Sequence, residues 1–387
     1  MERPTAVCDK RFRYLHAPSR KRDGAFSFYL LQKVLFKQRP LVHNGVMQRA
    51  ALILLLAISS TAAEWRPLFN GRDLSGWTNV NCAPSTWSAR DGMVVSTGIP
   101  TGVLRTLREY ENFILELEWK HLKPGGNAGL FVHSGALPVR GQPFTKAIEV
   151  QIIDRDHPEG LATSHGDVFS IQGATFTPDR PHPKGWMRCL PSERRARPAG
   201  EWNHYRVECR DGRITLAVNG KEVSGGSKCE PSKGFICLES EGSECHFRNI
   251  RIQEITPSRP PSPDTPDLDF VSLYTGVDLS GWKTADPGTW KVNDWTLESV
   301  TNASPLWTER NYQRCHLIVD WRFPSGGGES AIYIGGRTND AIKLSATDSQ
   351  WHRKSFYIPV SSGPIGLGGG GAHFANIYVK EMTGPPK

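Results

Sequence analysis

Phe113-Ile114-Leu115-Glu116-Leu117-Glu118-Trp119-Lys120 decides the fold. Phe113, Leu115, Leu117 and Trp119 alternate with Ile114, Glu116 and Glu118, the two-residue period of a strand with one buried face. The stretch returns as Cys315-His316-Leu317-Ile318-Val319-Asp320-Trp321-Arg322, and the chain around it returns as well. Leu68-Phe69-Asn70-Gly71-Arg72-Asp73-Leu74-Ser75-Gly76-Trp77 becomes Leu273-Tyr274-Thr275-Gly276-Val277-Asp278-Leu279-Ser280-Gly281-Trp282. Asn127-Ala128-Gly129-Leu130-Phe131-Val132-His133 becomes Glu329-Ser330-Ala331-Ile332-Tyr333-Ile334-Gly335, and Ala147-Ile148-Glu149-Val150-Gln151 becomes Ala341-Ile342-Lys343-Leu344-Ser345. Apolar positions survive and polar ones do not. Two domains therefore share one fold, and only the first keeps carboxylate chemistry on the last of these strands.

Similar short runs occupy Tyr205 to Cys209, Arg213 to Val218 and Phe235 to Glu239. Val218-Asn219-Gly220-Lys221 is a two-residue hairpin signal, because a type I′ turn needs positive φ at both central residues. Asp91-Gly92 and Asp211-Gly212 mark two more turns. No amphipathic helix longer than about two turns is apparent. The expected class is all-β, a sandwich or jelly roll, followed by a second, shorter and degenerate copy. The first domain is placed at 64–255. A Pro- and Ser-rich linker at 256–267 should be extended, and the second domain runs over 268–382.

Residues 47–63 read as a secretory signal peptide: Arg49, an apolar run from Ala50 to Ile58 too short to span a bilayer, then small residues before Glu64. Residues 1–46 are then expected to be an extension from a start called too early. The chain of 387 residues has a net charge of +8. Residues 1–63 hold 11 Lys/Arg and 3 Asp/Glu, so the remainder holds 36 of each sign. The basic balance belongs to the leader, and no nucleic-acid partner or integral membrane span is expected of the mature chain. Export to the periplasm or the extracellular space permits disulfides among the seven cysteines after the leader, with pairing open and buried thiols the alternative. No Cys-x-x-Cys pair occurs, which speaks against a structural zinc site.

The sharpest local signal is Ile148-Glu149-Val150-Gln151-Ile152-Ile153-Asp154. On a strand, Glu149 and Gln151 share one face. A bulge at Ile152-Ile153 would return Asp154 to that face and make an acid/base pair with Glu149. His133, at a strand end, is expected to place its imidazole near Glu149. The segment 154–200, largely missing from the second copy, reads as a long loop that shapes the pocket with His165, Asp167, Trp186 and Arg188. No nucleophile elbow, P-loop or His-Glu-x-x-His is present. Gly366-Leu367-Gly368-Gly369-Gly370-Gly371 reads as a flexible turn.

Together, the Leu68–Trp77 motif, Asn127-Ala128-Gly129-Leu130-Phe131, the Glu149–Asp154 stretch, Gly200-Glu201-Trp202-Asn203 and Val218-Asn219-Gly220 resemble the 3-keto-disaccharide hydrolase family. The resemblance covers nearly all of the first domain and only the start and end of the pattern in the second. It implies a concanavalin A-like jelly-roll sandwich and an exported protein that cleaves glycosides already oxidised at C3. A ketone at C3 acidifies the C2 proton. A base removes that proton, the C1 aglycone leaves, and water adds to the enone. Glu149 or His133 would be the base and Asp154 the acid, with Asn127 among the substrate-binding residues. Gln151, together with a divalent cation if one is bound, would hold the enolate oxygens. Two alternatives stay open. A lectin-like module would bind carbohydrate without turnover. A retaining glucanase would use Glu149 as nucleophile and Asp154 as acid, although Gln151 replaces the central Asp of that motif and Asp154 its final Glu.

Overall fold

A computed structural model describes residues 64–154, 165–260, 268–359 and 363–382. The expectations for 1–46, for 47–63 and for most of the linker lie outside the described residues. Strands between Arg66 and Glu254 form a nine-stranded and a seven-stranded sheet, and strands between Val271 and Glu381 form sheets of six and five. All named pairings are antiparallel, and the chain crosses repeatedly between the two sheets of each sandwich, the all-β jelly roll expected. Among the described residues only a three-residue 3-10 turn, Pro287–Thr289, is helical, and no helix is long and apolar enough to cross a membrane.

Alternation does what its period requires. Strand Phe113–His121 buries every second residue and sends Leu115, Leu117 and Trp119 into a core shared with Leu130, Ile148, Val150 and Leu238 of the seven-stranded sheet. Each fully buried Leu or Ile contributes ~1.5–3 kcal/mol of transfer free energy. Asn219 and Gly220 both take positive φ between the paired residues Val218 and Lys221, as do Asp91-Gly92 and Asp211-Gly212 in their hairpins. The repeated Leu–Trp motif is a closed loop. Trp77 Nε1 donates to the Leu68 carbonyl at 2.8 Å, and Trp282 Nε1 to the Leu273 carbonyl at 2.6 Å.

Segment 154–200 is not simply a loop. Val168–Ile171 and Arg188–Cys189 extend the seven-stranded sheet, and Thr175–Pro178 extends the nine-stranded one. The seven cysteines after the leader are all buried free thiols. Burial pushes Cys82 and Cys237 up to about 12.

The two sandwiches share a second core. Val103, Phe131, Phe235 and Cys237, on the outer face of the seven-stranded sheet, pack with Ile318 and Tyr378 of the second copy. That face carries the candidate site on its remaining part.

Candidate active site

Strand Ala147–Ile153 lies between Asn127–Ser134 and Val168–Ile171. Ile148, Val150 and Ile152 face the core, so Glu149 and Gln151 face outward. Phe131 is opposite Glu149 and Gly129 opposite Gln151. The next strand, Phe235–Ser240, brings Glu239 to the other side of Gly129. A Cβ on Gly129 would stand 2.7 Å from Glu149 Oε1 and 2.7 Å from Glu239 Oε2, so twice that leg, about 5.4 Å, bounds their separation. Glycine leaves the space in which two carboxyl groups converge.

Both carboxyls are almost completely buried. Burial first, then the charge of Glu241, pushes Glu149 well above the ordinary carboxylate range, while the Arg188 guanidinium pulls it back. Burial, then Glu149, then Glu241 push Glu239 up, with no cation opposing. Glu239 Oε2 has no hydrogen-bond partner among the described residues. Like charges this close in low dielectric do not both ionise readily. Burial thus favours the neutral form of both groups and the pair titrates as a unit, with Arg188 the one cation that favours an ionised Glu149.

Of the other expected residues, Asn127, Gln151 and Arg188 lie on or act on the strands that carry this pair. Asn127 Nδ2 donates to Glu241 Oε2. The Gln151 backbone N–H donates to the Asp167 carbonyl at 2.9 Å. Arg188 Nη1 donates to Asp167 Oδ2 at 2.8 Å, and its guanidinium lies 3.7 Å from the centroid of Phe169, the residue opposite Glu149 on the next strand. His165 is buried. Trp186 is half exposed and stacks on His182 at 4.5 Å.

Two expected placements differ. No bulge occurs at Ile152-Ile153, because the pairing with Asn127 and Ala128 runs without a shift. Asp154 thus stays off the Glu149 face and accepts the Gly125 N–H at 2.9 Å. His133 has φ +52, which turns its ring to the core side, edge-on to Phe113 and bonded to the Glu111 carbonyl at 3.0 Å. Burial lowers it to about 4, so the ring is neutral.

Glu239 and Glu241 were not foreseen, yet the repeat marks them. Leu238 pairs with Leu130 as Leu367 pairs with Ile332, so Glu239 and Glu241 correspond to Gly368 and Gly370. The glycine run of the second copy stands where the first has carboxylates, and Gly129 itself becomes Ala331. Among the described residues no group of three or more His, Cys, Asp or Glu side chains is placed to hold a metal ion. A groove of about 570 Å³ on the opposite sheet is lined by Glu116 and Glu118, but arginines already bond both, Arg251 and Arg248 each at 2.5 Å.

Comparison with known proteins adds to this geometry. The family described as the 3-keto-alpha-glucoside-1,2-lyase-like domain matches residues 64–253 and again 269–378, so the second match runs through the second copy and not only its ends. A 3-keto-disaccharide hydrolase of Bacteroides thetaiotaomicron is 23% identical over 257 residues, covering 53% of this chain and 83% of that protein. A candidate glycosyl hydrolase structure from Parabacteroides distasonis is 24% identical with a TM-score of 0.39, covering 50% of this chain and 94% of that one. A lichenase structure derived from a mouse hindgut metagenome is 13% identical with a TM-score of 0.33, covering 50% of this chain and 100% of that one.

Proposed function

The chain belongs to the 3-keto-alpha-glucoside-1,2-lyase-like family, a carbohydrate enzyme of the 3-keto-disaccharide hydrolase type, and we propose that it cleaves 3-keto-glycosides by elimination and hydration with Glu149 and Glu239 as its base and acid. The observation that carries this reading is the pair of buried carboxyls converging over Gly129. The Glu149 carboxylate takes the C2 proton, made acidic by the C3 ketone. The electron pair left at C2 forms the enolate, then the C1–C2 double bond as the C1–O bond breaks. Glu239 gives its proton to the departing aglycone oxygen. Hydration restores both groups: Glu239 takes a proton from water as its hydroxyl bonds C1, and Glu149 gives a proton to C2, releasing the 3-keto sugar. A raised pKa makes an ionised Glu149, favoured by the Arg188 charge, a stronger base than an exposed carboxylate, and burial favours the protonated form that Glu239 needs as an acid. Arg188, whose charge acts on Glu149, and the Gln151 amide opposite Gly129 are groups that suit the enolate oxygen.

The test uses a 3-keto-glucoside and its unoxidised parent in D₂O. Expected are cleavage of the keto substrate only and deuterium at C2 of the product above the no-enzyme control. Glu149→Gln and Glu239→Gln should each lose about 10²–10⁴-fold in kcat. Protium retained at C2, together with no slowing when the substrate carries deuterium at C2, would rule out the elimination route. A facing carboxyl pair within that bound is also compatible with a retaining glycosidase, and cleavage of the parent glucoside would put that reading first. Export belongs to the same proposal, supported by the leader pattern at 47–63. A mature N-terminus at Glu64 in periplasmic or culture-medium protein would bear it out, and an uncleaved cytoplasmic chain would refute it.

A further inference from the structure

The second copy has lost the carboxylates and the glycine beneath them, yet it keeps a buried charge aimed at the first copy. Asp320 is fully buried. Arg353 bonds both its oxygens, at 2.6 and 2.9 Å, and Oδ2 also accepts the Gly141 N–H at 2.7 Å. Arg353 Nη2 reaches the Pro138 carbonyl at 2.9 Å. Asn376 Nδ2 donates to the carbonyls of Val139 and Gln142 at 3.1 and 3.0 Å, and to Asp320 at 2.8 Å. These four residues of the first copy lie in 135–146, the connection between strands Asn127–Ser134 and Ala147–Ile153, while Asn376 Oδ1 also accepts from Asn81 Nδ2 at 3.0 Å. Three side chains of the second copy thus hold the backbone of this loop.

The contact reads shape. Gly141 has φ +66, and a Cβ there would stand 2.1 Å from the Trp351 ring. Phe144, three residues on, meets Phe131 edge-on at 5.8 Å, and Phe131 is opposite Glu149. Loop, ring and carboxylate form one packed chain. A buried ion pair adds little net stability compared with apolar packing, but it fixes geometry.

We propose that the second sandwich is a positioning element for the reaction, its Asp320–Arg353–Asn376 cluster holding loop 135–146 so that the strand following it presents Glu149 over Gly129. This rests on the reading of Glu149 as the base. The second copy exchanged chemistry for the task of holding its sister's active strand in place.

The experiment compares the full chain with Gly141→Ala, with Gly141→Ala/Trp351→Ala, and with Asn376→Gly, which keeps the backbone conformation and removes the amide. Amide exchange over 135–154, kcat and KM on the 3-keto-glucoside, and the NMR titration midpoint of Glu149 are measured on each. Gly141→Ala and Asn376→Gly should speed exchange in 135–146 and lower kcat about tenfold with KM within about twofold. They should also lower the Glu149 midpoint as water enters. Removing the Trp351 ring should restore part of kcat to the Gly141→Ala chain. Faster loop exchange with kcat and the Glu149 midpoint unchanged would overturn the proposal, as would unchanged exchange. If the unmodified chain fails to cleave the keto substrate, the base assignment falls. The exchange rates and Glu149 midpoint then still decide whether the second sandwich positions that carboxyl.

Discussion

Gly129 is the residue on which the site turns. It lies between two buried carboxyls, and the degenerate copy fills the same position with Ala331. Gly129→Ala adds one carbon where both oxygens converge, forcing them apart or rotating one away. We expect kcat/KM on the keto substrate to fall by about 10²-fold with the circular dichroism unchanged. Full activity would mean that the two groups do not act as a pair. Glu239 makes a separate prediction through stability. Its folded pKa stands well above the ordinary 4.5, so the unfolded chain loses this proton first as pH rises. The stability linked to the retained proton is complete below about 4.5 and drains away as pH climbs through the folded value. Glu239→Gln should therefore match the parent in Tm near pH 4, exceed it at pH 8, and keep its loss of turnover at both. A lower Tm at pH 8 would show instead an ionised Glu239 held by a partner. His133 runs in the opposite direction. Burial depresses it from 6.5 to about 4, so the stability of its neutral ring is present above 6.5 and lost as pH falls through 4.

At the scale of elements, one bulge is used twice. The pairing of Cys245–Glu254 with Phe113–His121 shifts between Arg248 and Arg251, and that of His373–Glu381 with Cys315–Arg322 shifts at the matching place. Asn249 and Asn376 hold the shift at φ +52 and +47. Alanine tolerates this region poorly, and only Asn376 also spans the two copies through its amide. Asn376→Ala should cost about 2–3 kcal/mol in urea unfolding and Asn249→Ala about 1 kcal/mol, the difference being hydrogen bonds. Equal losses would mean that the cross-copy bonds add nothing. Features of this local kind were legible in the chain itself. The strands announced themselves by period, the Asn-Gly and Asp-Gly hairpins by their need for positive φ, and the outward face of Glu149 and Gln151 by alternation. What pattern could not supply was register across the sheet. An unbroken ladder keeps Asp154 off the site face, and a positive φ at His133 rotates its ring into the core. Glu239 lies about a hundred residues from its neighbour Gly129, joined only by strand order. Val168–Ile171 is too short to stand out from a loop, though it forms the strand beside Glu149.

For the whole molecule, the question is why the second sandwich docks through a face that the first leaves open. Equivalent positions answer it. Glu116 pairs with Arg251 across the first copy's outer face, bonded at 2.5 Å in water's reach. The second copy has Ile318 opposite Tyr378, and both are buried against Phe131, Phe235 and Val103. Two substitutions turn a solvated charge ladder into an adhesive surface. Burial of two large side chains contributes ~3–6 kcal/mol in transfer free energy, enough to couple two small sandwiches into one cooperative unit. The intact chain should accordingly melt in a single calorimetric transition. Installing the first copy's own pair, Ile318→Glu with Tyr378→Arg, should leave each sandwich foldable, because this ion pair is already accommodated at these positions in the sister copy. It should split the melt into two transitions and expose Phe131 and Phe235 to the solvent. Turnover should fall with the docking, since loop 135–146 is released at the same time. A single unshifted transition in the double variant would assign the coupling to the Asp320, Arg353 and Asn376 hydrogen bonds alone, and the apolar pair would then be packing without consequence for cooperativity.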